Sequence, residues 1–201
     1  MEENLLQKAT EMFLQYGFKS VTMDDIANEL GMSKKTVYTY YPTKSILVEA
    51  VATNVFETIS NGIDEIRSRR LNPIEEIYVI KDFVRQLLKD EKSSPEFQLC
   101  KYYPEVHEKM HDKKLEVMMV CVVENLVRGV DMGLFRPSIN PQIIARFYFT
   151  GMGGIKNTDL FPPKQFIPTN IMDQFVEYHL RAIVTPKGQD ILKSYIDENN
   201  D

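Results

Sequence analysis

The 201-residue chain has no tryptophan, only two cysteines (Cys100 and Cys121) and nine glycines. Two cysteines make a poor disulfide framework and fit a reducing, cytoplasmic setting, where free cysteines usually serve as small buried hydrophobes. Long apolar runs are missing as well. Val117–Val123, seven residues, is the longest, far short of the roughly 20 that a membrane helix needs. No membrane association is expected, and the opening Met1-Glu2-Glu3-Asn4 has neither the basic nor the apolar region of a secretory leader. An excess of positive charge is absent too: 24 basic residues stand against 29 acidic ones, a net charge of −5. Over the whole chain that balance argues against general affinity for phosphate backbones. It speaks only to steering and solubility, however, and function has to be read from local segments. No segment alternates apolar and polar residues with turn punctuation, so no sheet is expected. Fixed-period repeats and low-complexity stretches are lacking.

What is present reads as helix throughout. Leu5, Leu6, Ala9, Phe13 and Tyr16 recur at helical spacing and Gly17 follows as a stop. Thr22-Met23-Asp24-Asp25 is a capping-box pattern, with Ile26, Ala27 and Leu30 on one face behind it and Gly31 as the end signal. Ser33 can cap a third helix from Lys34 to about Tyr40, which Pro42 stops. Thr43 caps a long helix whose apolar stripe runs from Ile46 to Ile66. Asn72-Pro73, Ser94-Pro95 and Asn140-Pro141 each read as a helix start. A long helix is expected from about Glu105 to Met132, and a last strong one capped by Thr169, after which Pro186 and Gly188 act as stops. The tail contains Ile191, Leu192, Tyr195 and Ile196, enough to dock as a short helix. The expected fold is all-α with about nine helices.

The segment from Gly31 to Ile46 departs from the acidic average, with Lys34, Lys35 and Lys44 and no acid. Two short helices joined by a tight turn, Thr22–Leu30 and Ser33–Tyr40, form a helix-turn-helix by sequence logic. Lys34 and Lys35 stand in the first turn of the second helix, where phosphate is attracted. Thr36 is short enough to approach a base edge. The hydroxyls of Tyr38, Tyr40 and Tyr41 can reach phosphates, and Lys44 opens the next helix. Met32, Val37 and Tyr41 would pack on Leu30, Ile26 and Phe13.

The run of residues Ala9, Phe13, Gly17-Phe18, Val21-Thr22, Asp25-Ile26-Ala27, Leu30-Gly31-Met32-Ser33, Val37-Tyr38, Tyr41-Pro42 and Lys44, within Leu5 to Val51, resembles the DNA-binding domain of the TetR (tetracycline-repressor-like) transcriptional regulators. The order and the spacing both agree. The resemblance implies an N-terminal helix-turn-helix domain over residues 1–46 and a helical ligand-binding and dimerisation domain over 47–201. It implies that Thr22 and Ser33 cap helices and touch the phosphate backbone, that Lys34, Lys35 and Thr36 face bases, and that Tyr38 and Lys44 hold phosphate. Members often carry basic residues ahead of the first helix. Here Glu2 and Glu3 occupy that place, against an extra minor-groove arm.

Other constellations compete for attention. His107-Glu108-Lys109-Met110-His111 fits the zinc-protease pattern H-E-x-x-H, yet Lys109, Asp112, Lys113 and Lys114 make it a solvated helix start, and no third ligand is marked. Nucleophile–base pairs and glycine-rich phosphate loops are lacking, so no catalytic residue, metal or cofactor is expected. Phe83, Tyr103, Met118, Val122, Asn125, Tyr148 and Met152 form a candidate pocket lining, with soft side chains suited to varied ligands. Glu124 and Arg128 stand at i and i+4 and can satisfy one another. A pocket with few unpaired charges suits a largely apolar effector. The stripes Ile143, Ile144, Phe147, Tyr148, Gly151, Met152, Ile155 and Ile171, Met172, Phe175, Val176, His179, Leu180, Ile183 look wider than one packing face requires, which points to a homodimer, with His179 as a hydrogen-bonded interface residue. The expectation is a cytoplasmic, ligand-responsive repressor that binds a palindromic DNA operator as a homodimer. A small zinc hydrolase built on His107, Glu108 and His111, or a helical interaction module without DNA function, is the alternative.

Overall fold

Side-chain caps and prolines set most of the helix starts. The computed structural model describes residues 1–88, 95–157 and 159–199. They form ten α-helices: α1 (Glu2–Tyr16), α2 (Met23–Glu29), α3 (Lys34–Tyr40), α4 (Lys44–Ser68), α5 (Pro73–Leu87), α6 (Pro95–Tyr102), α7 (Pro104–Asp131), α8 (Pro141–Gly154), α9 (Pro168–Ile183) and α10 (Pro186–Asn199). The fold is all-α. Among the described residues the only β pairing is a single antiparallel bridge between Phe135 and Val184. Ser94, expected to start α6, lies outside the described residues.

Asn72 Oδ1 accepts from the N–H groups of Ile74 and Glu75 at 3.1 and 3.0 Å. Asn140 Oδ1 does the same for Gln142 and Ile143 at 3.0 and 3.2 Å. In both cases proline fills the first helical position, where its missing N–H costs nothing. Two expectations are corrected. Thr169 does not cap α9: the helix begins one residue earlier at Pro168, and Ile167 before it makes no side-chain cap. Gly188 is not a stop: α9 ends ahead of Pro186 as expected, and Pro186 then opens α10 with Gly188 inside it, because a proline that stops one helix also suits the first turn of the next.

Contacts divide the chain into two units whose boundaries fall inside α4, α5 and α7: Met1–Ile63 with Phe83–Lys114, and Asp64–Asp82 with Leu115–Asp201. The first unit is larger than residues 1–46 for a physical reason. Three short helices leave apolar faces that they cannot cover alone. Leu5, Ala9 and Phe13 of α1 pack with Ile26, Val37, Leu47 and Val51, and Leu99, Val106 and Met110 of α6 and α7 complete that core. Phe13 is fully buried, with its ring 5.1 Å from that of Phe18. Burial of such a ring contributes roughly 2–3 kcal/mol.

In the second unit Ile74, Leu126, Phe135, Val176, Leu180, Ile183 and Leu192 form the core. It also encloses a carboxylate. Glu76 is 2% exposed; it accepts from Asn125 Nδ2 at 2.7 Å and pairs with Arg128 Nη1 at 2.8 Å. Arg128 also donates to the Leu71 carbonyl, and Asn125 Nδ2 to the Pro73 carbonyl. The expected Glu124–Arg128 pair is therefore not the one formed. Arg128 turns to Glu76, which has no water to fall back on, and exposed Glu124 pairs with Arg67 instead. Both cysteines are free thiols. Cys100 is exposed rather than a buried hydrophobe; half-buried Cys121 has its thiol pKa raised by burial, away from the reactive thiolate.

Candidate nucleic-acid interface

The pair α2–α3 is held by local chemistry at each end. Thr22 N–H donates to Asp25 Oδ2 at 2.8 Å, and Asp25 N–H donates to Thr22 Oγ1 at 3.1 Å, a complete capping box. Those hydrogen bonds hold the Asp25 carboxyl below its ordinary pKa. At the other end of α2, Gly31 adopts φ +61°. Its N–H donates to the Asn28 carbonyl at 3.1 Å and Met32 N–H to the Ala27 carbonyl at 2.9 Å. This is a Schellman end, which the left-handed glycine makes possible. Two residues later Ser33 Oγ accepts from Thr36 N–H at 3.1 Å and starts α3. Val37 is fully buried and Met32 and Leu30 pack on the same core, so the opposite face of α3 is turned outward.

That outward face carries Lys34, Lys35 and Tyr38, all exposed, with Thr36 half-buried beside them. Tyr40 differs: it is half-buried and packs against the core, as does Tyr41. Lys44 Nζ lies 3.4 Å from the Lys19 carbonyl, to which it donates. Partial burial holds its ammonium below the ordinary lysine pKa. Lys34 pairs with Asp24 of α2, a partner that the local pattern did not flag although the acid was plain to see. Lys35 makes no ion pair among the described residues. Sequence reasoning also missed Gln98 of α6, whose Oε1 accepts from Lys19 N–H at 3.0 Å. Gly17 (φ +86°) leaves room for the Gln98 side chain, which a Cβ there would strike.

Residues 5–51 match the family model described as bacterial regulatory proteins, tetR family. The HTH-type transcriptional regulator YvaF of Bacillus subtilis is 37% identical over 78 residues, which are 38% of this chain and 40% of YvaF. The likeness to that family model lies in the N-terminal quarter of the chain, over α1 to the first turns of α4. The match extends further with the HTH-type transcriptional repressor KstR2 of Mycolicibacterium smegmatis, 23% identical over 72% of each chain. A TetR-family regulator from Agrobacterium tumefaciens shares the fold at a TM-score of 0.74, with 16% identity over 92% of this chain and 97% of that one. The chain spans only about a third to two-fifths of the first relatives it matches, 32% to 40% of their lengths.

The candidate pocket residues fall in both units. Phe83 and Tyr103 belong to the first. Gly62 leaves room for the Phe83 ring, and Tyr103 meets Phe18 edge-on at 6.3 Å. Met118, Val122, Asn125, Tyr148 and Met152 belong to the second. Asn125 is buried, and its Oδ1 has no hydrogen-bond partner among the described residues. The Tyr148 ring lies 4.7 Å from that of His179 and 5.6 Å from that of Phe175, and burial pushes its hydroxyl pKa up to about 12. His179, expected as a hydrogen-bonded interface residue, has its Nε2 buried with no hydrogen-bond partner among the described residues of the single chain, and desolvation lowers its pKa to about 4. His107 and His111 do share a helix face, with rings 6.3 Å apart. Among the described residues no third His, Cys, Asp or Glu joins them to hold a metal ion.

Proposed function

We propose that this chain is a DNA-binding transcriptional regulator that acts as a homodimer on a palindromic duplex and is released by a small molecule. The observation that carries the reading is the α2–turn–α3 unit: capped at both starts, closed by a left-handed glycine, and presenting Lys34, Lys35, Thr36 and Tyr38 outward. Such a helix can enter a major groove with its first turn at the base edges. Lys34, Lys35 and Thr36 read bases; Tyr38, Lys44, Thr22 and Ser33 hold phosphate. Tyr40, half-buried, contributes more to packing than to contact. That KstR2 is named a repressor supports repression as the output.

Dimerisation is assigned to α8 and α9. Phe147 is 66% exposed and Ile143 49%, with Tyr178 at 73% on α9, an apolar surface that a second copy would cover. Light scattering at micromolar concentration should give a dimer, and Phe147→Arg a monomer. The effector is largely apolar. Two charges on the candidate pocket helices are already committed, Arg128 to Glu76 and Glu124 to Arg67, which supports a ligand without strong charge.

The deciding experiment selects duplexes from a random pool. The wild-type chain should return a palindrome, bound with a steep salt dependence. A Lys34→Ala, Lys35→Ala, Thr36→Ala triple variant should lose or change the preferred sequence, since each base contact discriminates by about 1–3 kcal/mol. An unchanged motif would refute the base-reading assignment.

A further inference from the structure

The stretch from Thr22 to Lys44 holds three acids (Asp24, Asp25, Glu29) and three lysines (Lys34, Lys35, Lys44). The candidate interface is thus close to neutral, an odd composition for a surface meant to meet phosphate. The acids differ in what they do. Asp25 is consumed by the capping box. Asp24, its neighbour, has no capping bond. Its carboxylate instead crosses from α2 to α3 and pairs with Lys34, ten residues on. Both side chains remain well exposed, 45% for Asp24 and 64% for Lys34, and the pairing holds the Lys34 ammonium above its ordinary pKa. Lys35, the next residue of the same turn, makes no such pair among the described residues.

Resting on the regulator reading above, we infer that Asp24 sets the affinity and salt dependence of DNA binding: it is an internal stand-in for phosphate that occupies Lys34 until a duplex displaces it. The exposure of the pair is what makes exchange possible, because an exposed ion pair is worth little and breaks easily. When Lys34 moves to DNA, the duplex sheds a counter-ion there, while the freed Asp24 carboxylate attracts one. The net ion release at this contact is close to nil. Non-specific binding is almost wholly counter-ion release, whereas specific binding adds base contacts. Opening the pair costs either kind of duplex about the same, so Asp24 lowers affinity for both and flattens the salt dependence, most visibly where counter-ion release is nearly the whole of the binding.

The test compares the full chain with Asp24→Asn, a near-isosteric change at an exposed position that leaves the Thr22–Asp25 box intact. Two probes are titrated over a range of salt: the palindrome the wild type selects, and a mixed-sequence duplex without it. Asp24→Asn should tighten binding to the mixed duplex by about two- to fivefold, the scale of one exposed ion pair. It should also steepen the salt slope by about one. The palindrome should gain by a similar factor, since the same pair opens on either probe. In a Lys34→Ala background the gain from Asp24→Asn should vanish; a gain that persists there means general charge repulsion and overturns the role assigned to the pair. Unchanged or weakened binding in Asp24→Asn overturns the inference and leaves the regulator reading standing. A wild type that binds no duplex in a salt-sensitive way overturns that reading itself.

Discussion

Each unit of the molecule holds an ion pair between helices, and the two could hardly be used more differently. In the first, Asp24 and Lys34 meet at the surface, both well exposed. In the second, Glu76 is 2% exposed and held by Arg128 and Asn125 at 2.8 and 2.7 Å. The surface pair is screened by salt and open to competition from any other anion. The enclosed one is not: removing Arg128 strands the Glu76 carboxylate in a place without water. One arrangement suits a surface that must change partners, and the other suits a scaffold that must not.

The largest test of that contrast is Arg128→Ala. It leaves the buried Glu76 carboxylate with Asn125 but without its counter-charge, and should destabilise the second unit by about 3 kcal/mol or more. Chemical denaturation followed by circular dichroism measures it; a loss below about 1 kcal/mol would mean that the network behaves like a surface pair. Acid provides the next test, through His179. Its folded pKa of about 4 lies below the ordinary 6.5, so its contribution is fully present above about pH 6.5. It declines as pH falls below that and saturates below about pH 4. Between about pH 6.5 and 5 the loss should be about 2 kcal/mol. A denaturation series in pH should show that slope in the wild type and not in His179→Leu.

Smaller effects sharpen the other side of the comparison. Thr22→Ala removes a capping interaction beside the exposed pair and should cost about 1 kcal/mol, read from the first unit's unfolding. Asp24→Asn should move stability by no more than about 0.5 kcal/mol in either direction. A large change would identify the Asp24–Lys34 pair as a structural brace rather than an exchangeable contact.

How much of this was legible in the sequence follows the range of the interactions. Thr22 with Asp25, Ser33 with Thr36, Asn72 and Asn140 with the amides that follow them all act within four residues, and their starts could be read directly. So could the turn at Gly31 and the buried Val37. Thr169 misled because a hydroxyl one residue inside a proline-started helix looks the same in sequence as a cap. Longer pairings were hidden. Arg128 had a local acid, Glu124, and a distant one, Glu76, and only burial decides between them. Asp24 was visible as an acid in a first turn, but which lysine it reaches depends on the α2–α3 crossing. His179 was placed on its stripe, but its unpartnered nitrogen results from the packing of Tyr148 and Phe175 around it.

The contact between Gln98 and Lys19 carries a practical consequence. The Lys19 amide belongs to an exposed connection between α1 and α2, where hydrogen exchange with solvent would ordinarily be fast. Here its proton is held by the side chain of a residue 79 positions away. Exchange at that one amide must wait for the Gln98 side chain to let go, so its protection factor is a clock for the departure of α6 from the α1–α2 connection. In a spectrum crowded with helical amides, Lys19 would report that single event, with and without DNA, and with each candidate effector in turn.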